Sequence, residues 1–194
     1  MISILDTGAW GWNDSQEDHS CNLDKPFVNY LINFLEDKNQ NLIIDFGCAT
    51  GYYLQYISEI SSKYELIGIE PQASKYYSTK FPNILDLDMT VPFDLNKKGV
   101  VMSLEVLEHI HPKFESIAVD NIVRHCDKYA FISWALQDGH GHVNCKFPQE
   151  VVDIFEKKQF KVLVEETIAA RNTILPKAHA SWLRHNFIIF EKVG

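Results

Sequence analysis

Leu42-Ile43-Ile44-Asp45-Phe46-Gly47-Cys48-Ala49-Thr50-Gly51 is the stretch that decides how this chain folds. Its apolar start reads as a buried strand. Gly47 and Gly51, lacking a Cβ, then let the backbone turn sharply into the amphipathic segment Tyr52 to Ser62. About 20 residues further on a second apolar strand, Leu66-Ile67-Gly68-Ile69, ends in Glu70. An acid at that place can accept hydrogen bonds from both hydroxyls of a ribose. The loop differs from a dinucleotide fingerprint, because Asp45 stands inside it and would repel a pyrophosphate. It suits a ligand with a positive end, such as the amino group of a methionine moiety.

Outward from this loop, strand and helix signals alternate. Strands are expected near 42–46, 65–70, 83–86, 99–104, 128–134, 160–166 and 186–191, with helices near 24–37, 52–62, 72–79, 113–126 and 149–158. Asp24 and Pro26 mark the start of the first helix, which Phe27, Tyr30, Leu31, Phe34 and Leu35 give an apolar face. The alternation predicts an α/β chain: a doubly wound sheet of about seven strands, its last strand antiparallel. In such a sheet ligands bind beyond the carboxyl ends of the strands, at the switch point. Residues 1–22 show no period and are expected to form an arm or lid on a single domain spanning 23–194.

At these residues the chain resembles the class I S-adenosylmethionine-dependent methyltransferases, a Rossmann-like fold. Asp-Phe-Gly-Cys-Ala-Thr-Gly (45–51) is similar to that family's first motif, with Ala49 in place of the commoner middle glycine. The resemblance implies that Asp45, Gly47, Gly51 and Glu70 bind the cofactor S-adenosylmethionine. It places the adenine-side acid at Asp88, followed by Met89, and adds Leu104 at the end of the fourth strand.

A second cluster follows that strand: Glu105-Val106-Leu107-Glu108-His109. Were it a helical turn, residues 105, 108 and 109 would share one face. Two carboxylates and an imidazole converge stably when a cation joins them, and this donor set points to Mg²⁺ or Mn²⁺. Asp138-Gly139-His140-Gly141-His142-Val143-Asn144 follows the fifth strand and borders the same crevice. Glu-x-x-Glu-His with a downstream histidine resembles the small-RNA 2′-O-methyltransferases, and in part the ubiquinone-pathway O-methyltransferases. That resemblance implies a divalent metal on Glu105, Glu108, His109 and one of His140 or His142, with His142 favoured. Without metal, His109 or His140 would be the general base. The loop is also similar to the Gly-His-His-His-Val-Asn stretch of methyltransferases associated with glycan synthesis, which points to a sugar hydroxyl and to a place within a larger glycosyltransferase polypeptide.

Bulk properties narrow the partners. A net charge of −8 disfavours a nucleic acid held by phosphate contacts. No apolar run approaches membrane-spanning length, and the four cysteines show no paired spacing, as expected of a cytoplasmic protein with reduced thiols. Trp10, Trp12 and Trp134 offer flat faces to a sugar ring, or fill the core. The expected activity is O-methylation of a glycan hydroxyl. A catechol-like small molecule or an RNA 3′-terminal ribose is the alternative acceptor, and a silent cofactor-binding or partner-binding domain the alternative class.

Overall fold

The computed structural model describes residues 3–4, 7–8, 10–11, 23–36, 38–71, 80–174 and 183–194. Strands β1 (Ser3–Ile4) and β2 (Trp10–Gly11) form a small antiparallel pair. The main sheet holds β3 (Leu42–Phe46), β4 (Glu65–Ile69), β5 (Ile84–Leu85), β6 (Gly99–Leu104), β7 (Cys126–Ser133), β8 (Phe160–Val162) and β9 (Ile188–Lys192). Their order across the sheet is β5-β4-β3-β6-β7-β9-β8. The first five run parallel, while β9 is antiparallel to both its neighbours.

Alternation of side chains along the strands divides the core between the two faces. Ile44, Phe46, Val101, Ala130, Ile132, Ile188 and Phe190 point to one side. There they meet α3 (Glu115–His125) through Ala118, Val119 and Ile122, and α4 (Pro148–Glu156) through Val151 and Phe155. Ile43, Val100, Met102, Tyr129, Phe131 and Ile189 point to the other side. They pack against Phe27, Val28, Leu31 and Leu35 of α1 (Lys25–Leu35), and Leu54 and Ile57 of α2 (Tyr52–Ile60). Helices thus cover both faces, as the alternating pattern predicts.

Three expectations shift. The strand expected over 160–166 ends at Val162, where Leu163 N–H closes the ladder on Ile189 O at 2.9 Å. The chain then enters α5 (Val164–Ala169), whose first turn carries Glu165 and Glu166, favourable at a helix N-terminus. The final strand starts later than expected, because Leu183–Asn186 form a short helix, α6. The turn after β6 is not α-helical: Glu105 adopts φ +58° and only Leu107–His109 coil, as a 3₁₀ turn. The helix expected at 72–79 lies outside the described residues. Among the described residues no helix is long and apolar enough to cross a membrane. Cys126 and Cys145 are free thiols, and Cys21 lies outside the described residues.

Candidate functional site

The chain reverses direction across the sheet beside β3, with β4 on one side and β6 on the other. Loops leaving β3 and β6 therefore meet. Gly47 has φ +78°, and a Cβ there would stand 2.4 Å from Val106 Cγ2. The glycine is required twice, once for the dihedral and once for the close approach. Gly47→Ala is accordingly expected to destabilise the protein by at least about 1 kcal/mol from the dihedral alone. Pairing it with Val106→Ala relieves only the steric part, and thermal melts of the three variants measure both parts.

The loop after β3 is held from β4. Gly47 N–H and Cys48 N–H both donate to Ile69 O, at 2.8 and 3.2 Å. Ala49, at φ +47°, donates its N–H to Glu70 Oε2 at 2.9 Å. Glu70 thus pins the loop as well as ending β4. Asp45 is 5% exposed, and burial, with Glu70 next, pushes its carboxyl up to about 8. A buried acid so reluctant to ionise is matched to a cation. Beyond β5, Asp88 Oδ1 accepts from Thr90 N–H at 2.8 Å and from Thr90 Oγ1 at 2.7 Å, fixing a tight turn. Met89 is buried in the core and lends its carbonyl to Asn121 Nδ2 at 2.9 Å. Leu104 is half-buried at the end of β6.

The second cluster assembles where β6 and β7 end. Val143 N–H and Asn144 N–H both donate to Glu108 O, at 2.8 and 3.0 Å, tying the histidine loop to the 3₁₀ turn. The loop's far end is locked by Asn144 and Lys146, which both bond Glu115 Oε2, at 3.0 and 2.9 Å. As a result, Glu108, His109 and His142 present ligand atoms that all lie within 4.8 Å of one another. Glu108 is fully buried, and among the described residues its carboxylate meets no side-chain donor, only the backbone of Glu108 itself and of Ala135 favouring its charged form. Burial foremost, and Glu105 next, raises its carboxyl well above the usual range.

The imidazoles face the same way chemically. His109 Nδ1 is 3.1 Å from Gly141 O, and His142 Nδ1 is 2.9 Å from Gln137 O. A carbonyl only accepts, so each Nδ1 carries the proton and Nε2 is left as the basic nitrogen. Burial, with His142 and His140 adding their charge, lowers His109 to about 4 despite the opposing bond to Gly141 O. Neutral at physiological pH, His109 is a good ligand and a weak proton acceptor. A buried carboxylate within 4.8 Å of a ring nitrogen of each histidine fits a divalent cation, which would offset the cost of burying the acid.

Glu105 stands apart from this trio. Its left-handed backbone, worth of order 1–3 kcal/mol of strain, is braced by its N–H on Ser133 Oγ at 2.9 Å. Asn186 Nδ2 donates to its Oε1 at 2.7 Å. His140 is exposed at the loop tip, outside the trio. Trp134 is no sugar platform: it is 1% exposed, and its Nε1 donates to Asn144 O at 2.5 Å. Trp12 lies outside the described residues. The arm does reach the cluster, since a Cβ on Gly8 would stand 3.0 Å from His109 O. Ser133, Asn144 and Asn186 carry no sequence signal of their roles, because each acts through a contact distant in the chain.

Solved structures share this architecture. The chain aligns with an S-adenosylmethionine-bound amino pentose methyltransferase of Micromonospora echinaspora, involved in calicheamicin biosynthesis. The TM-score is 0.65 at 11% identity, over 90% of this chain and 93% of that one. Magnesium protoporphyrin IX methyltransferase from Synechocystis PCC 6803 gives 0.60 at 14%, over 93% and 90%. The methyltransferase domain of bacterial CtHen1 gives 0.60 at 10%, over 89% and 100%. The chain has the methyltransferase fold. No family model matches it, and no curated protein matches it in sequence.

Proposed function

We propose that this chain is an S-adenosylmethionine-dependent O-methyltransferase acting on a sugar hydroxyl with the help of a divalent metal. The observation that carries this reading is Glu108: a fully buried carboxylate with no side-chain donor among the described residues, within 4.8 Å of two histidine ligand atoms. An amine acceptor needs no such site, because its lone pair is available once deprotonated. A hydroxyl does, and a cation supplies it by lowering the hydroxyl pKa. Glu108, His109 and His142 would hold the ion, with Glu105 beside them.

The rest falls to the chain's own groups. Asp45 faces the positive end of the methyl donor, Glu70 the ribose and Asp88 the adenine. The acceptor oxygen attacks the sulfonium methyl in line; a C–O bond forms as the C–S bond breaks, and the sulfur leaves as a neutral thioether. Alignment supplies much of the rate, so the rigid tie between the two loops is itself catalytic in effect. Were no metal bound, His109 or His140 would take the hydroxyl proton. Gly8 lies against His109 O, at the edge of the cluster.

The sugar reading is supported by the histidine loop, by the acidic charge of the chain, and by the amino pentose named for one structural neighbour. The test is a screen of free and nucleotide-linked sugars, catechols and RNA 3′ ends with labelled S-adenosylmethionine, with and without chelator. Saccharide methylation that stops in EDTA and returns with Mn²⁺ or Mg²⁺ is expected. Methylation of RNA ends alone, or turnover persisting under thorough chelation, would overturn the acceptor or the metal respectively.

A further inference from the structure

Asn186 ends α6, between β8 and β9 in the chain, and is 81 residues from Glu105. It is 4% exposed, and its amide is only half satisfied. Nδ2 reaches Glu105 Oε1 at 2.7 Å, while Oδ1 is buried with no hydrogen-bond partner among the described residues. Flipping the amide would set Oδ1 against a carboxylate oxygen, so the orientation is fixed by Glu105. A buried amide with an orphaned acceptor is unfavourable for folding, and an apolar side chain of similar size would serve the core better. What the amide does accomplish is to hold one oxygen of Glu105.

Glu105 needs holding. It is the residue that broke the expected helical face, and its left-handed backbone sets it outside the 3₁₀ turn that carries Glu108 and His109. Two contacts hold it: Ser133 Oγ accepts from its backbone N–H, and Asn186 Nδ2 donates to its Oε1. Ser133 and Asn186 both hydrogen-bond the Glu105 carboxylate, and from there it acts electrostatically on Glu108 and His142.

We propose that Asn186 is a positioning residue that fixes Glu105 as the fourth side of the Glu108–His109–His142 cation site. The inference rests on the metal reading above. It connects the C-terminal part of the sheet to the ligand set, through a contact that contributes to binding at the expense of stability.

The test uses the intact chain and Mn²⁺ alone, with free Mn²⁺ followed by electron paramagnetic resonance, in the absence of donor and acceptor. The parent protein is expected to bind Mn²⁺. Asn186→Leu and the smaller Asn186→Ala are expected to weaken that binding by about 10- to 100-fold, as loss of a ligand-orienting partner does. Asn186→Leu is expected to melt no earlier than the parent, since it removes an orphaned acceptor. In a Glu105→Gln background, adding Asn186→Leu is expected to change Mn²⁺ affinity no further, because Asn186 acts through Glu105. Undiminished Mn²⁺ affinity in both Asn186 variants, or losses that simply add in the double variant, would overturn the inference while leaving the cation site standing. Failure of the parent to bind Mn²⁺ would overturn both.

Discussion

Glu108→Gln is expected to abolish methyl transfer, with a fall of about a thousandfold, while affinity for S-adenosylmethionine changes by no more than about twofold. The magnitude follows from the several kcal/mol of charge stabilisation that a bound cation contributes to a developing alkoxide. The selectivity follows from position: Glu108 stands with the two histidines, whereas Asp45, Gly47 and Glu70 lie around the loop after β3. The same acid leaves a mark on stability. Its folded-state pKa is raised by burial, so between the ordinary value of 4.5 and the raised one the folded protein holds more protons than the unfolded. In metal-free protein, this contribution is fully present below pH 4.5 and is lost as pH rises through the folded value. Glu108→Gln removes that slope, and Mn²⁺ offsets it. Denaturant melts across pH, with turnover assays, check both parts; a variant that still turns over at the parent's rate rules out the cation site.

Affinity for S-adenosylmethionine is expected to rise with pH and level off near pH 8. Asp45 is held at about 8 by burial and by Glu70, so in the donor-free protein it is largely protonated at neutrality. Pairing with a cationic ammonium requires the ionised form, and binding below pH 8 therefore releases a proton. Affinity climbs roughly tenfold per pH unit over about pH 6 to 8. Asp45→Asn should flatten the profile and lower the plateau. The stability of the donor-free protein runs the other way: the raised carboxyl favours the fold below its ordinary 3.8, and that advantage is lost as pH approaches about 8. Calorimetry in two buffers of different ionisation heat counts the protons directly. Equal affinity at pH 6 and 8 with no proton released would rule out Asp45 as the ammonium's partner.

Much of this was legible in the sequence because it is local. The run 42–51, the acid at 70 and the alternation of strand and helix each depend on near neighbours, and the structure places Asp45, Gly47 and Glu70 around one loop. Glu105 misled because helical spacing assumes helical dihedrals throughout, and a single residue at φ +58° turns a shared face into two. Trp134 reads equally well as a surface platform or as core until its Nε1 is seen on Asn144 O. The strand at 160–166 was cut short by Val164–Ala169, which competes for the same residues. Asn186 was invisible: its role lies in a contact with Glu105 that no periodicity encodes.

The insertion of β9 between β7 and β8 has a consequence for the order of assembly during synthesis. On a ribosome, β8 emerges before β9, yet β9 is its only partner in the sheet, so residues 160–162 wait with an open edge. Asn186 emerges two residues ahead of β9 and reaches Glu105 as that strand docks. The nascent chain can therefore form the crevice around Asp45 and Glu70 early, while the acid beside the cation site gains its amide only when the sheet closes. Docking of β9 and the Asn186–Glu105 contact thus become one event in the completion of the fold.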